Sequence, residues 1–158
     1  MIGAETRALV AALEANLGAE LASKTAQCAL LDLQENAVRS ADPAELERLA
    51  PRMLSEIDAG AARARERAEL MSRLAASLDL APCRVAIIAG ALRDEGRRLA
   101  DLRQELRAVT ARSLVRGRRL AVLVRAHGGL LEEALGRFLA PDATGAPLGR
   151  GSLVDARA

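Results

Sequence analysis

The stretch from Pro82 to about Leu139 constrains the fold most, because apolar residues recur in it at helical spacing almost throughout. At about 100° per residue, one face carries Ile88, Leu92, Leu99, Leu102, Leu106 and Val109. The same face continues later with Leu120, Val124, His127, Leu131, Leu135 and Phe138. Between these two sets, the positions on the same face are occupied by Thr110, Ser113 and Gly117, which are small or polar. The pattern predicts a long third helix over about 83–139 whose second half carries a separate apolar stripe.

Composition decides between helix and strand. The 158 residues are 51% hydrophobic but only 1% aromatic, with no Trp or Tyr. Strands favour aromatic and β-branched residues, whereas Ala, Leu, Arg and Glu are strong helix formers and are abundant here. We therefore predict an all-α protein with one modest core built mainly from Leu and Ala.

The first helix is predicted over about 5–39. Its apolar residues stand at spacings of three, four and seven: Val10, Leu13, Leu17, Leu21, Cys28, Leu31 and Val38. Lys24 and Glu35 interrupt this stripe, and we expect both charged groups to reach the edge of a bundle along their aliphatic stems.

The second helix is predicted over about 43–78 and has the clearest start signal in the chain. Asp42 suits the N-cap, Pro43 suits the first helical position, and Glu45 can bond back to the amide of the cap residue. Pro51 predicts a kink or a fresh start near Ala50. Because short loops between long helices force antiparallel neighbours, the expected architecture is an antiparallel three-helix bundle.

Helix lengths single out the end of the third helix. At 1.5 Å per residue the first two helices span about 50 to 55 Å each, and the third spans about 85 Å. About 30 Å, close to residues 120–139, would then overhang. Either this part stays extended with its stripe exposed, or the chain bends at Gly117 or at Gly128 and Gly129 and forms a fourth bundle helix. An exposed stripe marks a partner site, so the candidate client-binding residues are Leu120, Val124, His127, Leu131, Leu135 and Phe138.

A basic segment adjoins this stripe. Residues 106–131 contain six arginines and no acidic residue. Arg112, Arg116 and Arg119 share one helix face and are candidate electrostatic contacts to an acidic protein partner, with an ordinary solvated surface as the alternative. The chain lacks the aromatic residues that single-stranded nucleic acid usually stacks on, and it has no compact helix-turn-helix pattern. Nucleic acid is therefore not an expected partner.

Catalytic and metal-binding patterns are scarce. His127 is the only histidine, Cys28 and Cys83 fit no metal spacing, and there is no phosphate-binding loop. We expect neither enzyme activity nor a cofactor. The weaker enzyme alternative is a small helical chorismate mutase, because 56–74 has a loosely similar run of Ile, Asp and Arg.

The remaining features concern location. The longest apolar run, 85–92, is far shorter than the roughly 20 residues that span a bilayer. The amino terminus carries Glu5 and Arg7 and lacks the apolar core of a signal peptide. We expect a cytoplasmic protein without membrane insertion. The tail, 140–158, contains Pro141 and Pro147 and little that could be buried, and it is predicted to be disordered.

Taken together, the order and spacing of these segments resemble the FlgN-type flagellar export chaperones. The resemblance rests on the end of the first helix at 37–42, the opening of the second at 46–52 and the end of the third at 131–139. It implies a non-enzymatic chaperone whose third helix binds helical ends of hook-associated proteins and keeps them competent for secretion. It further implies contact with the flagellar export apparatus and a monomer or weak homodimer. The alternative is a homo-oligomeric helical scaffold in which the same stripe pairs with a second copy.

Overall fold

The computed structural model describes residues 3–81 and 84–139, except the side chains of residue 131 and of residues 133–139. Within these residues the protein is all-α, as predicted. The elements are α1 (Ala4–Arg39), α2 (Pro43–Ser77), α3 (Val85–Leu92), a short 3-10 helix (Arg93–Gly96) and α4 (Arg97–Leu139). The chain divides into two units, 1–123 and 124–158, and the bundle belongs to the first. The predicted disordered tail, 140–158, lies outside the described residues.

The turn between α1 and α2 closes one helix and caps the next. The amide of Ala41 donates to the Val38 carbonyl at 3.2 Å, and the amide of Asp42 donates to the Ala37 carbonyl at 2.9 Å. These two bonds, with Ala41 at a φ of 52°, form a Schellman motif with Ala where Gly is usual. The Asp42 carboxylate then accepts from the Glu45 amide at 3.0 Å, which confirms the predicted N-cap.

The other half of the predicted capping box is wrong. The Glu45 carboxylate accepts from Arg48 Nε at 2.7 Å and from Nη2 at 2.6 Å instead of bonding back to the cap. The reason is that the Asp42 amide already donates to Ala37, so it is not left for Glu45. The hydrogen bond from Arg48 lowers the pKa of the Glu45 carboxyl below its ordinary value of 4.5.

The end of α2 repeats the same device. The amide of Leu80 donates to the Ala75 carbonyl at 2.8 Å, and Asp79 has a φ of 55°. A second Schellman motif therefore stops α2 one residue before the predicted end. Pro51 lies inside α2 and no new helix starts near Ala50, so of the two predicted outcomes only a kink there stays a prediction. Its ring is exposed, so the helix carbonyl that loses its amide partner there can bond to water.

The predicted third helix is interrupted, although not at the glycines named as the alternative bend points. It consists of α3, the 3-10 helix and α4, and Gly117, Gly128 and Gly129 all lie within α4. The interruption lies at Arg93, which has a φ of 54°, and at Gly96, which is buried. A Cβ on Gly96 would lie 2.2 Å from the carbonyl oxygen of Ala89, so only glycine lets α3 approach the start of α4 this closely.

The hydrophobic core joins all four helices. Its best-buried members include Leu13 from α1, Leu74 from α2, Ile88 from α3 and Leu99 from α4, each with no exposed surface. The core therefore lies where the amino-terminal half of α1 meets the carboxyl end of α2, α3 and the first turns of α4. This packing fixes α4 on the rest of the bundle by its first turns.

A polar layer separates this core from the α1–α2 turn. It consists of Asn16, Glu20, Ser23 and Gln27, all buried on α1. Asn16 donates to Glu66 at 2.7 Å, Glu20 accepts from Arg63 at 2.7 Å, and Gln27 donates to the Glu56 carbonyl at 3.3 Å. Partners of successive residues run backwards along α2, so these bonds set the antiparallel register of the two helices.

Candidate functional site

Helix α4 changes its manner of attachment along its length. Its first turns use apolar contacts, with Leu102 3% and Val109 5% exposed. At Val109 the helix lies against the middle of α1, where the Cys28 thiol approaches the Val109 carbonyl at 3.9 Å. The first half of the predicted stripe is therefore ordinary core.

Beyond Val109, where the apolar stripe is interrupted, ion pairs replace apolar contacts between α4 and α1. Arg116 Nη1 lies 3.1 Å from the Asp32 carboxylate, and Arg119 Nε lies 3.0 Å from the Glu35 carboxylate. Glu35 also holds Arg39 at 2.6 Å. These contacts explain how α4 stays against α1 after the buried apolar stripe ends at Val109, although half-exposed pairs contribute only about 1 kcal/mol or less each.

This arrangement corrects the expectation for Glu35. Its side chain is 10% exposed, so it does not extend to the edge of the bundle as predicted. Two arginines compensate its charge, which is the condition for keeping a carboxylate buried. Lys24 does lie at the edge, with 27% of its side chain exposed.

The predicted electrostatic contacts are therefore partly engaged within the fold. Arg116 and Arg119 each face a carboxylate of α1, whereas Arg112 is exposed beside the Cys28 region. A partner that used Arg116 or Arg119 would have to compete with these internal pairs. Of the three residues, Arg112 is the best placed for an external acidic group.

The predicted apolar site is described only in part. Val124 is 51% exposed, and Leu120 and His127 are half-buried. The side chains of Leu131, Leu135 and Phe138 lie outside the described residues.

Sequence reasoning missed a second set of apolar residues on α4. Leu114, Val115, Val122 and Leu130 are between 58% and 65% exposed. Val115 and Val122 stand seven residues apart and share a face that is more than 100° from the buried Val109. The signal was present in the sequence, because residues 114–131 are apolar on several faces rather than on one. A helix of this kind is normally covered.

Among the described residues, no group of three or more His, Cys, Asp or Glu side chains could hold a metal ion. None of the helices in the described ranges combines the length and apolar character needed to cross a membrane.

Comparison with known proteins adds no relative. No protein-family model matches the sequence, and no significant match was found among curated proteins or among solved structures.

Proposed function

We propose that this protein is a non-enzymatic, cytoplasmic export chaperone that holds the hook-associated proteins of the flagellum in a secretion-competent state. The observation that carries the proposal is the exposed apolar surface of α4. Val115, Val122 and Leu130 are each more than half exposed and lie within about 80° of one another around the helix axis, so they can form a contiguous apolar patch of the kind that marks interaction surfaces. Val124 is also more than half exposed but lies on the opposite face of the helix. The order and spacing of the helices, which resemble the FlgN-type chaperones, supply the identity of the client.

The exposed surface suits a helical client. Fully burying one Val or Leu side chain stabilises a complex by about 1.5 to 3 kcal/mol, and association itself costs about 4 kcal/mol or more. Several such side chains must therefore be covered together, as happens when an amphipathic helix lies along another helix. The resemblance to the FlgN-type chaperones implies a client that offers helical ends for such packing. Holding them requires no nucleotide and no bond-making step.

A homo-oligomeric scaffold is the second candidate, and the same observation favours it. The exposed residues of α4 could be covered by a second copy of the chain instead of a client. A closed dimer would use the same patch on both subunits, so one substitution would alter both sides of the interface.

The test uses purified hook-associated proteins and the full chain. Val122→Glu combined with Leu130→Glu should weaken client binding at least tenfold, since each carboxylate would be buried without a partner in the complex. The melting temperature should change by only a few degrees, because both positions are exposed in the free protein. The matched control is Leu54→Glu with Ile57→Glu on α2, where the side chains are 61% and 53% exposed.

Three outcomes separate the candidates. Client binding that survives the α4 substitutions but not the α2 substitutions would show that the client binds α2 and would contradict the proposal. A large fall in melting temperature would show that the α4 surface is ordinary core. A dimer that the α4 pair converts to a monomer, with no client binding in either form, would establish the scaffold.

A further inference from the structure

A groove on the first unit of the protein shares only Leu114 with the exposed apolar residues of α4. It has a volume of about 650 Å³ and is open to solvent. Its walls come from α1, α2, α3 and residues 103–114 of α4, which span about 16 Å or three helical turns. The lining residues are Leu17, Arg67, Met71, Arg84, Val85, Arg103, Leu106, Arg107, Thr110, Ala111 and Leu114.

The floor of the groove is apolar. Leu17 is a core residue at 2% exposure, whereas Met71, Val85 and Leu106 are only partly buried against the core. Leu114 at the far end is 59% exposed. The core of the bundle is therefore partly accessible to solvent at the floor of the groove. Elsewhere it is fully buried, as at Leu13 of α1 and Leu99 of α4.

The rim of the groove is positively charged. Arg67, Arg84, Arg103 and Arg107 line it, and no carboxylate does. This differs from the rest of the bundle, where buried and half-exposed arginines face Glu or Asp, as Arg63 faces Glu20. In the part of the chain that the structure describes, no ion pair within 4.0 Å involves Arg84, Arg103 or Arg107.

We infer that this groove binds an acidic amphipathic helix of a partner protein, with its apolar face on the floor and its Asp or Glu residues against the arginine rim. Charge complementarity selects this occupant, because the rim offers four guanidinium groups without an acidic neighbour in the lining. The apolar floor matches one face of a helix of about three turns. A nucleic acid would bring phosphates for the rim, but the lining has no aromatic side chain on which its bases could stack.

This inference is independent of the proposed chaperone function. The groove ends at Leu114, and the tested residues of the other surface, Val122 and Leu130, do not line it. The protein therefore has two docking surfaces of different character, one apolar and one apolar with a basic rim.

The probe is a fluorescein-labelled 15-residue helical peptide with Leu on one face and Glu on both flanks. Its anisotropy is titrated with the full-length chain. The control peptide has the same sequence with every Glu replaced by Gln. We expect the Glu peptide to bind at least tenfold more tightly than the Gln peptide. We also expect its affinity to fall as salt is raised, because the rim arginines are screened within about 8 Å at physiological salt.

Variants locate the binding. Arg103→Glu with Arg107→Glu should weaken the Glu peptide at least tenfold, and Arg103→Gln with Arg107→Gln serves if charge reversal disturbs folding. Leu114→Ser should weaken both peptides, because it removes an exposed part of the floor. The matched control is Arg98→Glu with Arg118→Glu, which reverses two exposed α4 arginines outside the groove. Val122→Glu with Leu130→Glu should leave peptide binding unchanged.

Other results would overturn the inference. Equal affinity for the Glu and Gln peptides, or equal losses in the groove variant and the control variant, would show that the rim does not select acidic helices. Light scattering that finds a dimer which only the groove variant dissociates would assign the groove to a second copy of this chain. Complete displacement of the peptide by millimolar succinate would assign it to small dianions. Displacement by a single-stranded oligonucleotide at low salt would assign it to nucleic acid.

Discussion

Gly96→Ala tests the packing of α3 against the start of α4. The added Cβ would lie 2.2 Å from the Ala89 carbonyl oxygen and 2.8 Å from its carbonyl carbon and Cα. Ordinary contacts need about 3.4 Å or more, so the backbone of α3 has to move by about 1 Å. The helix cannot move freely, because Ile88 and Leu92 anchor it in the core at 0% and 5% exposure. We expect a loss of about 2 to 4 kcal/mol in the free energy of unfolding.

Urea denaturation followed by circular dichroism measures this loss. Gly90→Ala is the matched control, since Gly90 lies in α3 and an added Cβ there meets nothing within 4 Å. That substitution should stabilise the protein by about 0.5 to 1 kcal/mol, because Ala favours helix over Gly. Combining Gly96→Ala with Ala89→Gly should give no rescue, since the clash is with backbone atoms. A Gly96→Ala loss below about 1 kcal/mol would refute the close approach.

Three further predictions concern helix ends and buried charge. Ala41→Gly and Asp79→Gly should each stabilise the protein by about 0.5 to 1 kcal/mol in the same denaturation assay, because both residues have positive φ in Schellman motifs. Glu20→Ala should cost about 2 to 4 kcal/mol, since it leaves the largely buried Arg63 without its carboxylate. The lowered pKa of Glu45 means that its contribution to stability is present above pH 4.5 and is lost as the pH falls through the folded value. The stability difference between wild type and Glu45→Gln should therefore shrink on acidification in melts between pH 6 and pH 3.

Helix positions could be predicted because their signals are local. The cap at Asp42 and the spacing of apolar residues such as Leu13, Leu17 and Leu21 depend only on neighbouring residues and on one helical period. The interruption at Arg93–Gly96 was missed because the apolar stripe keeps its phase from Leu92 to Leu99. The available signal was Gly96, which occupies the position between Leu92 and Leu99 where a helical stripe would carry another apolar side chain.

Features that depend on two helices could not be predicted in this way. Glu20 and Glu35 are buried because arginines distant in the sequence lie opposite them. The groove rim gathers Arg67 from α2, Arg84 before α3, and Arg103 and Arg107 from α4. A single helical wheel shows which residues share a face, but it does not show what that face meets.

The proposed chaperone function requires that α4 bind clients through its exposed apolar residues. Hydrogen exchange measured by mass spectrometry on the full chain, with and without a purified hook-associated protein, tests this binding. We expect slower exchange of peptides covering residues 114–130 when the client is added, because a bound helix suppresses local opening of α4. Peptides from the polar layer of α1, residues 16–27, should exchange at the same rate with and without client. Client binding that leaves residues 114–130 unchanged, or no binding at all at micromolar concentrations, would contradict the proposed function.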